Sequence, residues 1–253
     1  MIFDSSIISQ LEWHDWLLAC VGALILGLAK GGIKGIGILI VVIMAYVFDA
    51  RPSTGIVIPM LIVGDIFAVI YYNRHAQWSY LFRFLPWMIV GVLCGVWFGN
   101  SISEEMFRNG MAVLVFLSVG VMFYWDLAKM KVIPKHWTFA GSMGLMAGFT
   151  TMIGNLAGGF SNLFFLAMRL PKNNFIGTAA WLYFIVNLVK LPFHIFVWKT
   201  VTLATLQVNL YLLPLIIVGL FAGVRIVKLI DEGPFRKIIL VLTALGAIFI
   251  LFR

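Results

Sequence analysis

Of the 253 residues in this chain, 62% are hydrophobic and only 11% charged, against about 45–50% and about 25% in an ordinary soluble domain. No soluble fold of this length buries that much apolar surface, and no polar stretch is long enough to form an extramembrane domain. The formal net charge is +8, but no basic helix interleaved with aromatics accompanies it. Nucleic acid is therefore excluded as a partner, and the excess charge is read as Lys and Arg gathered in cytoplasmic loops. The expected fold is an all-α polytopic membrane protein forming one membrane domain.

In chain order, MIFDSSIISQLEWHD lacks the basic n-region and small-residue cleavage site of a signal peptide. Ten apolar segments follow, at 13–29, 33–48, 55–72, 79–99, 107–125, 137–153, 156–168, 175–197, 207–224 and 236–252. A helix crossing the hydrocarbon core needs about 20 residues. Segments 33–48 and 156–168 fall short of that, and each follows a glycine-rich break, GLAKGGIKGIG at 27–37 and GFTTMIGNLAGG at 148–159. Cys20 and Cys94 lie inside apolar segments and are expected to be small buried hydrophobes.

Charge orients the chain only if it turns back at each break, as full spans or as re-entrant hairpins. One side then collects Lys30, Lys34, Arg74, Arg83, the Lys129–Lys135 cluster, Arg169, Lys172, Arg225, Lys228, Arg236 and Lys237. The other holds only Arg51, Arg108, Lys199 and Arg253. The basic side is the cytoplasmic one, which puts both termini outside, in the periplasm.

The halves on either side of the basic linker resemble each other. Leu85-Pro86, Gly91 and Gly95 recur as Leu213-Pro214, Gly219 and Gly223, each displaced by 128 positions, as Phe107-Arg108 recurs as Phe235-Arg236. Gly27, Lys34 and Gly37 match Gly148, Asn155 and Gly158 at 121, and Asp65 matches Asn187 at 122. The reading is a first membrane repeat at 1–128, a cytoplasmic linker at 129–136 and a second repeat at 137–253. Five segments per half is an odd number, so the second repeat is inserted upside down, the plan of many secondary transporters.

Matching breaks in both halves point to a binding site, because irregular backbone at membrane depth is tolerated only beside protein or a water-filled cavity. The alternative is that these glycines serve close helix packing. Substrate-binding candidates are Lys34, Gly35, Gly154, Asn155, Ser161, Asn162, Thr178, Trp181, Asn187 and Lys190. A lysine among neutral donors suits an oxyanion better than a cation. Asp65, in the middle of segment 55–72, is the candidate proton carrier, with structural hydrogen bonding to a neighbouring helix as the alternative. Lys30 and Lys34 either line the cavity floor or mark the cytoplasmic face.

No metal-ligand cluster, nucleotide loop or nucleophile–base pair has recognisable spacing. No cofactor is expected, and the chain reads as a transporter rather than an enzyme. A channel and a membrane-embedded accessory protein or enzyme are the other classes. Expected partners are a small anionic substrate and the lipid bilayer, and a homodimer is compatible with the sequence.

GLAKGGIKGIG, IPMLIVGDIFA, LPWMIVGVLCG and IGNLAGGFSNLFFLAMRLPKNNFIGTAAWLYFIVNLVKLPF together resemble the sulfite exporter TauE/SafE family, also called the toluene-sulfonate uptake permease family. The resemblance covers nearly the whole chain and is most specific from Ile153 to Phe193. It implies a bacterial inner-membrane carrier of sulfur-containing oxyanions, among them sulfite, sulfoacetate and other organosulfonates. The first-half motif reads KGGIKG, where many relatives carry consecutive glycines.

Overall fold

A computed structural model describes residues 11–33, 36–127 and 137–230. Lys34, Gly35, the 129–136 linker and the 236–252 segment lie outside them. The described residues form nine α-helices and no strand: α1 (Trp13–Lys30), α2 (Gly37–Phe48), α3 (Ala50–Tyr72), α4 (Trp78–Asn100), α5 (Glu104–Leu127), α6 (Trp137–Gly154), α7 (Ala157–Ala167), α8 (Lys172–Pro192) and α9 (Leu203–Lys228). A π-helical turn, Phe193–Val197, extends α8. Five stretches are long and apolar enough to cross a membrane: α1, Ala50–His75, α4, Lys172–Val197 and α9. The chain is thus an all-α polytopic membrane protein, and large side chains such as Trp97, Phe196 and Leu210 face outward from the bundle, where lipid replaces water.

The two glycine-rich stretches interrupt the helices, and local chemistry explains where. At the end of α1, Gly32 takes a φ of 128°. Its N–H reaches the Ala29 carbonyl at 3.3 Å, and the Ile33 N–H reaches Leu28 at 3.2 Å. This pair of bonds is a Schellman closure, which needs a residue tolerant of positive φ. At the end of α6 that residue is Asn155, with φ 57°, whose N–H bonds the Thr151 carbonyl at 2.9 Å. Asparagine is the commonest substitute for glycine in this position.

Beyond each break the chain doubles back. An added Cβ at Gly22 would meet the Met44 and Ile43 side chains at 2.9 and 3.3 Å, although an unbroken helix would hold residues that far apart in sequence about 33 Å away. Likewise the Phe139 ring of α6 lies 6.1 Å from the Phe164 ring of α7. With 12 and 11 residues, α2 and α7 are about 18 and 17 Å long, too short to cross a core of about 30 Å unaided.

Two glycine-lined contacts hold the bundle together. On α1 and α9, an added Cβ at Gly27 would lie 2.3 Å from the Ile216 carbonyl oxygen, and one at Gly219 2.3 Å from that of Leu24. On α4 and α6, Gly91 and Gly148 make the same approach to Leu145 and Met88, at 2.1 and 1.9 Å. Both are small-xxx-small seams, where van der Waals packing of close backbones replaces the hydrophobic drive that lipid does not supply. Between these seams α3 packs against α8. The cysteines differ from expectation: Cys20 is half-buried and Cys94 exposed on the bundle surface, so the apolar phase around Cys94 is lipid rather than protein.

Candidate functional site

A cavity of about 100 Å³ opens between the two breaks. That is well above the roughly 10–15 Å³ one water needs on the same measure. Helical periodicity delivers its lining. Leu26, Ala29 and Lys30 share one face of α1, Gly37, Ile40 and Val41 one face of α2, Val57 and Leu61 one face of α3. Thr151 and Asn155 come from the end of α6, Gly158 and Asn162 from α7, and Tyr183 and Asn187 from α8. The first turns of α2 and α7 both border the cavity. First-turn amides have no acceptor within their own helix, and the positive ends of the two helix dipoles favour an anion there.

A continuous polar network runs beside this space. The Lys30 ammonium is ion-paired with Asp65 and lies 5.2 Å from the centre of the Tyr183 ring. Gly64, next to Asp65, makes room for the Lys30 stem: an added Cβ would come within 2.7 Å of the Lys30 Cγ. The other Asp65 oxygen accepts from Asn187 Nδ2 at 2.7 Å. Lys190 is fully buried and donates to Asn155 Oδ1 at 2.6 Å, Thr151 Oγ1 at 3.1 Å and Asn187 Oδ1 at 3.5 Å. All three acceptors are neutral, and among the described residues no carboxylate lies within ion-pairing distance of Lys190. Asn155 in turn donates from Nδ2 to the Thr54 carbonyl at 3.2 Å, tying the second break to α3. Ser161, whose hydroxyl donates to Ala157 at 2.7 Å, meets the Tyr183 hydroxyl at 2.5 Å. Asn162 Oδ1 lies 3.4 Å from that same hydroxyl, and its Nδ2 is 3.6 Å from where a Cβ added at Gly158, one turn earlier on α7, would sit.

The sequence candidates therefore separate. Asn155, Asn162 and Asn187 line the cavity, Lys190 stands behind them, and Ser161 supports Tyr183. Gly154 is a buried helix end, where an added Cβ would meet Leu156 and Met111 at 3.0 Å. Thr178 and Trp181 lie elsewhere on α8. Thr178 accepts from the Gln77 N–H at 2.9 Å and donates to Asn174 at 2.6 Å, and the Trp181 ring centre is 5.1 Å from that of Trp78. Both fasten α8 to the start of α4. Asp65 is paired rather than a lone carboxyl. Sequence reasoning did not put forward Thr151, Tyr183 or Thr54, and named Lys30 only as an alternative. The 121-residue displacement relates Thr151 to Lys30, so the repeat held a signal for Thr151; Tyr183 and Thr54 carry none.

Because Lys30 and Asp65 neutralise each other out of water, losing one partner strands the other. Asp65→Asn is expected to destabilise the protein by about 3–5 kcal/mol, and Lys30→Gln with Asp65→Asn to recover most of it. Melting curves of both variants in detergent check this.

Broken helices meeting around a cavity lined by polar side chains are how polytopic membrane proteins build transport pathways, and this chain is a multi-pass membrane protein of that class. Residues 17–250 match the family model described as Sulfite exporter TauE/SafE, and the chain belongs to that family of membrane transporters. No curated protein and no solved structure matches it.

Proposed function

We propose that the protein is a secondary carrier that moves a small sulfur-containing oxyanion, such as sulfite, sulfoacetate or another organosulfonate, across the bacterial inner membrane by alternating access. The observation that carries this reading is Lys190: a fully buried ammonium held by three neutral oxygens. Buried charges are ordinarily paired, and an anion in the adjoining cavity, contacting Lys30, Asn162 and the first-turn amides of α2 and α7, supplies the missing countercharge.

Alternating access needs two exchangeable halves, and we take these as 1–128 and 137–253, inverted about the cytoplasmic 129–136 linker with both termini periplasmic. Swapped packing supports the inversion. Gly27 of the first half packs on the Gly219 region of the second, and Gly148 of the second packs on the Gly91 region of the first. Asp65 and Asn187, related by the 122-residue displacement, bond directly to each other, as equivalent residues do when they lie at the axis relating them. In this reading Asp65 carries the coupling proton in the state of the cycle that parts it from Lys30.

The test is uptake of radiolabelled sulfite into proteoliposomes under an imposed pH gradient. Saturable uptake, driven by the gradient and inhibited by sulfonates, is expected. Uptake retained by the Lys30→Gln/Asp65→Asn variant, which also lacks the Lys30 contact to the anion, is expected to be the same with and without the gradient. Conversion of the anion without flux, or flux that does not saturate, overturns the carrier reading.

A further inference from the structure

We infer that the links following α3 and α8 are the two gates of the carrier, one toward each membrane face, each closing against a glycine in the early turns of the other helix. The inference rests on the alternating-access reading. Gly55 of α3 and Gly177 of α8 are related by the 122-residue displacement that also relates Asp65 to Asn187. An alanine methyl at Gly55 would sit 2.6 Å from the Thr200 carbonyl carbon, in the link after α8. One at Gly177 would sit 2.6 Å from the Tyr72 carbonyl oxygen and 3.1 Å from the Ala76 nitrogen, where α3 ends. Each helix therefore starts against the end of the other, so the two run antiparallel. Asp65 and Asn187, each ten residues past its glycine, meet between the two contacts. Along α3, Gly55 and Tyr72 are 17 residues apart, about 25 Å, most of a hydrocarbon core of about 30 Å.

The polar bonds at the two ends correspond as well. Tyr72 and His194 are also 122 positions apart, and each secures its own link. His194 is fully buried; its Nδ1 lies 2.8 Å from Thr200 Oγ1, and its carbonyl accepts from the Thr200 N–H at 2.9 Å. The Tyr72 hydroxyl donates to the Gly31 carbonyl at 3.1 Å, and Thr178, next to Gly177, accepts from the Gln77 N–H at 2.9 Å. Each contact is thus bonded to one glycine-rich break: Tyr72 to the first, and Thr54, next to Gly55, to Asn155 of the second. Both helices also end in irregular turns, a 3₁₀ turn at Asn73–His75 and the π-helical turn at Phe193–Val197, a feature common at hinges and functional sites. Gly27, Gly91 and Gly148 pack on the backbone of whole helices, which must move as units. Gly55 and Gly177 pack on short links, which can part locally.

The experiment measures labelling of a single cavity cysteine, Leu61→Cys, in full-length protein carrying Cys20→Ser and Cys94→Ser. A membrane-impermeant methanethiosulfonate is applied to one face in spheroplasts and to the other in inverted vesicles. Gly55→Ala, which obstructs closure at Thr200, is expected to speed labelling from the Thr200 face by about fivefold or more and to slow it from the other. Gly177→Ala is expected to do the reverse. Thr200→Val and Thr178→Val, which keep side-chain shape but lose the bonds to His194 and Gln77, are expected to shift labelling in the same two directions. They keep the test open if an alanine variant fails to fold. Labelling unchanged in both members of a pair, or shifted toward the same face by both, overturns the gates, and saturable sulfite uptake by the parent protein then leaves the carrier standing. Opposite shifts without saturable sulfite uptake support the gates and overturn the sulfur-anion reading.

Discussion

Lys190→Gln is expected to lower anion uptake by roughly 100-fold or more, the scale of losing one partner of a desolvated charge interaction, while the protein remains folded in the membrane. Glutamine keeps hydrogen-bonding capacity toward Thr151, Asn155 and Asn187, which surround the Lys190 ammonium, but removes the charge. A residue whose role was only to join α6 to α8 would tolerate that exchange. The effect on the apo protein has the opposite sign. Removing a buried charge that no described carboxylate neutralises relieves a desolvation cost, so the melting temperature in detergent is expected to hold or rise. Uptake and melting measured on the same preparation separate the two roles, and wild-type uptake by the variant would remove Lys190 from the site.

Gly148→Ala and Gly91→Ala are expected to have the largest effect on folding. The new methyl carbon would sit 1.9 Å from the Met88 carbonyl oxygen or 2.1 Å from that of Leu145, and in each case the obstacle is helix backbone rather than a side chain able to rotate. Overpacking ordinarily costs about 1–3 kcal/mol. Here α4 and α6 must separate along their whole seam, so the yield of monodisperse protein in detergent is expected to fall at least about tenfold. Gly158→Ala, ten residues further on in the same glycine-rich stretch, is expected to purify like the wild type. Equal yields for Gly148→Ala and Gly158→Ala would show that the seam can open without loss of the fold.

The same contrast answers a question that glycine content alone leaves open. A glycine-rich stretch reads identically whether it serves packing, a helix end or a cavity, because all three need the absence of a side chain. The neighbours of each missing Cβ distinguish them. Gly27, Gly91 and Gly148 serve packing, Gly32 serves a helix end, and Gly37 and Gly158 border open space.

Much of this protein is legible in its sequence. Apolar runs of the length a bilayer demands marked α1, α3, α4, α8 and α9 to within a few residues, because lipid forces every backbone polar group to be satisfied within its own helix. Shortness beside glycine marked α2 and α7. Lys190, Asn155, Asn162 and Asn187 stood out as polar residues in segments that cannot easily hold them. Which of these residues meet is a matter of three dimensions. Lys190 reaches Asn155 across 35 positions, Asp65 reaches Asn187 across 122, and Asn155 reaches the Thr54 carbonyl across 101. Thr178 and Trp181 share α8 with Asn187 and Lys190, yet the helix turns them toward Gln77 and Trp78 instead. The sequence by itself determined the membrane class, the helices and their breaks, because those follow from local hydropathy and backbone chemistry. Only the tertiary structure decided that Asp65 is paired with Lys30 and that Lys190 is not paired with a described carboxylate, because which charges neutralise each other depends on contacts between helices distant in the chain.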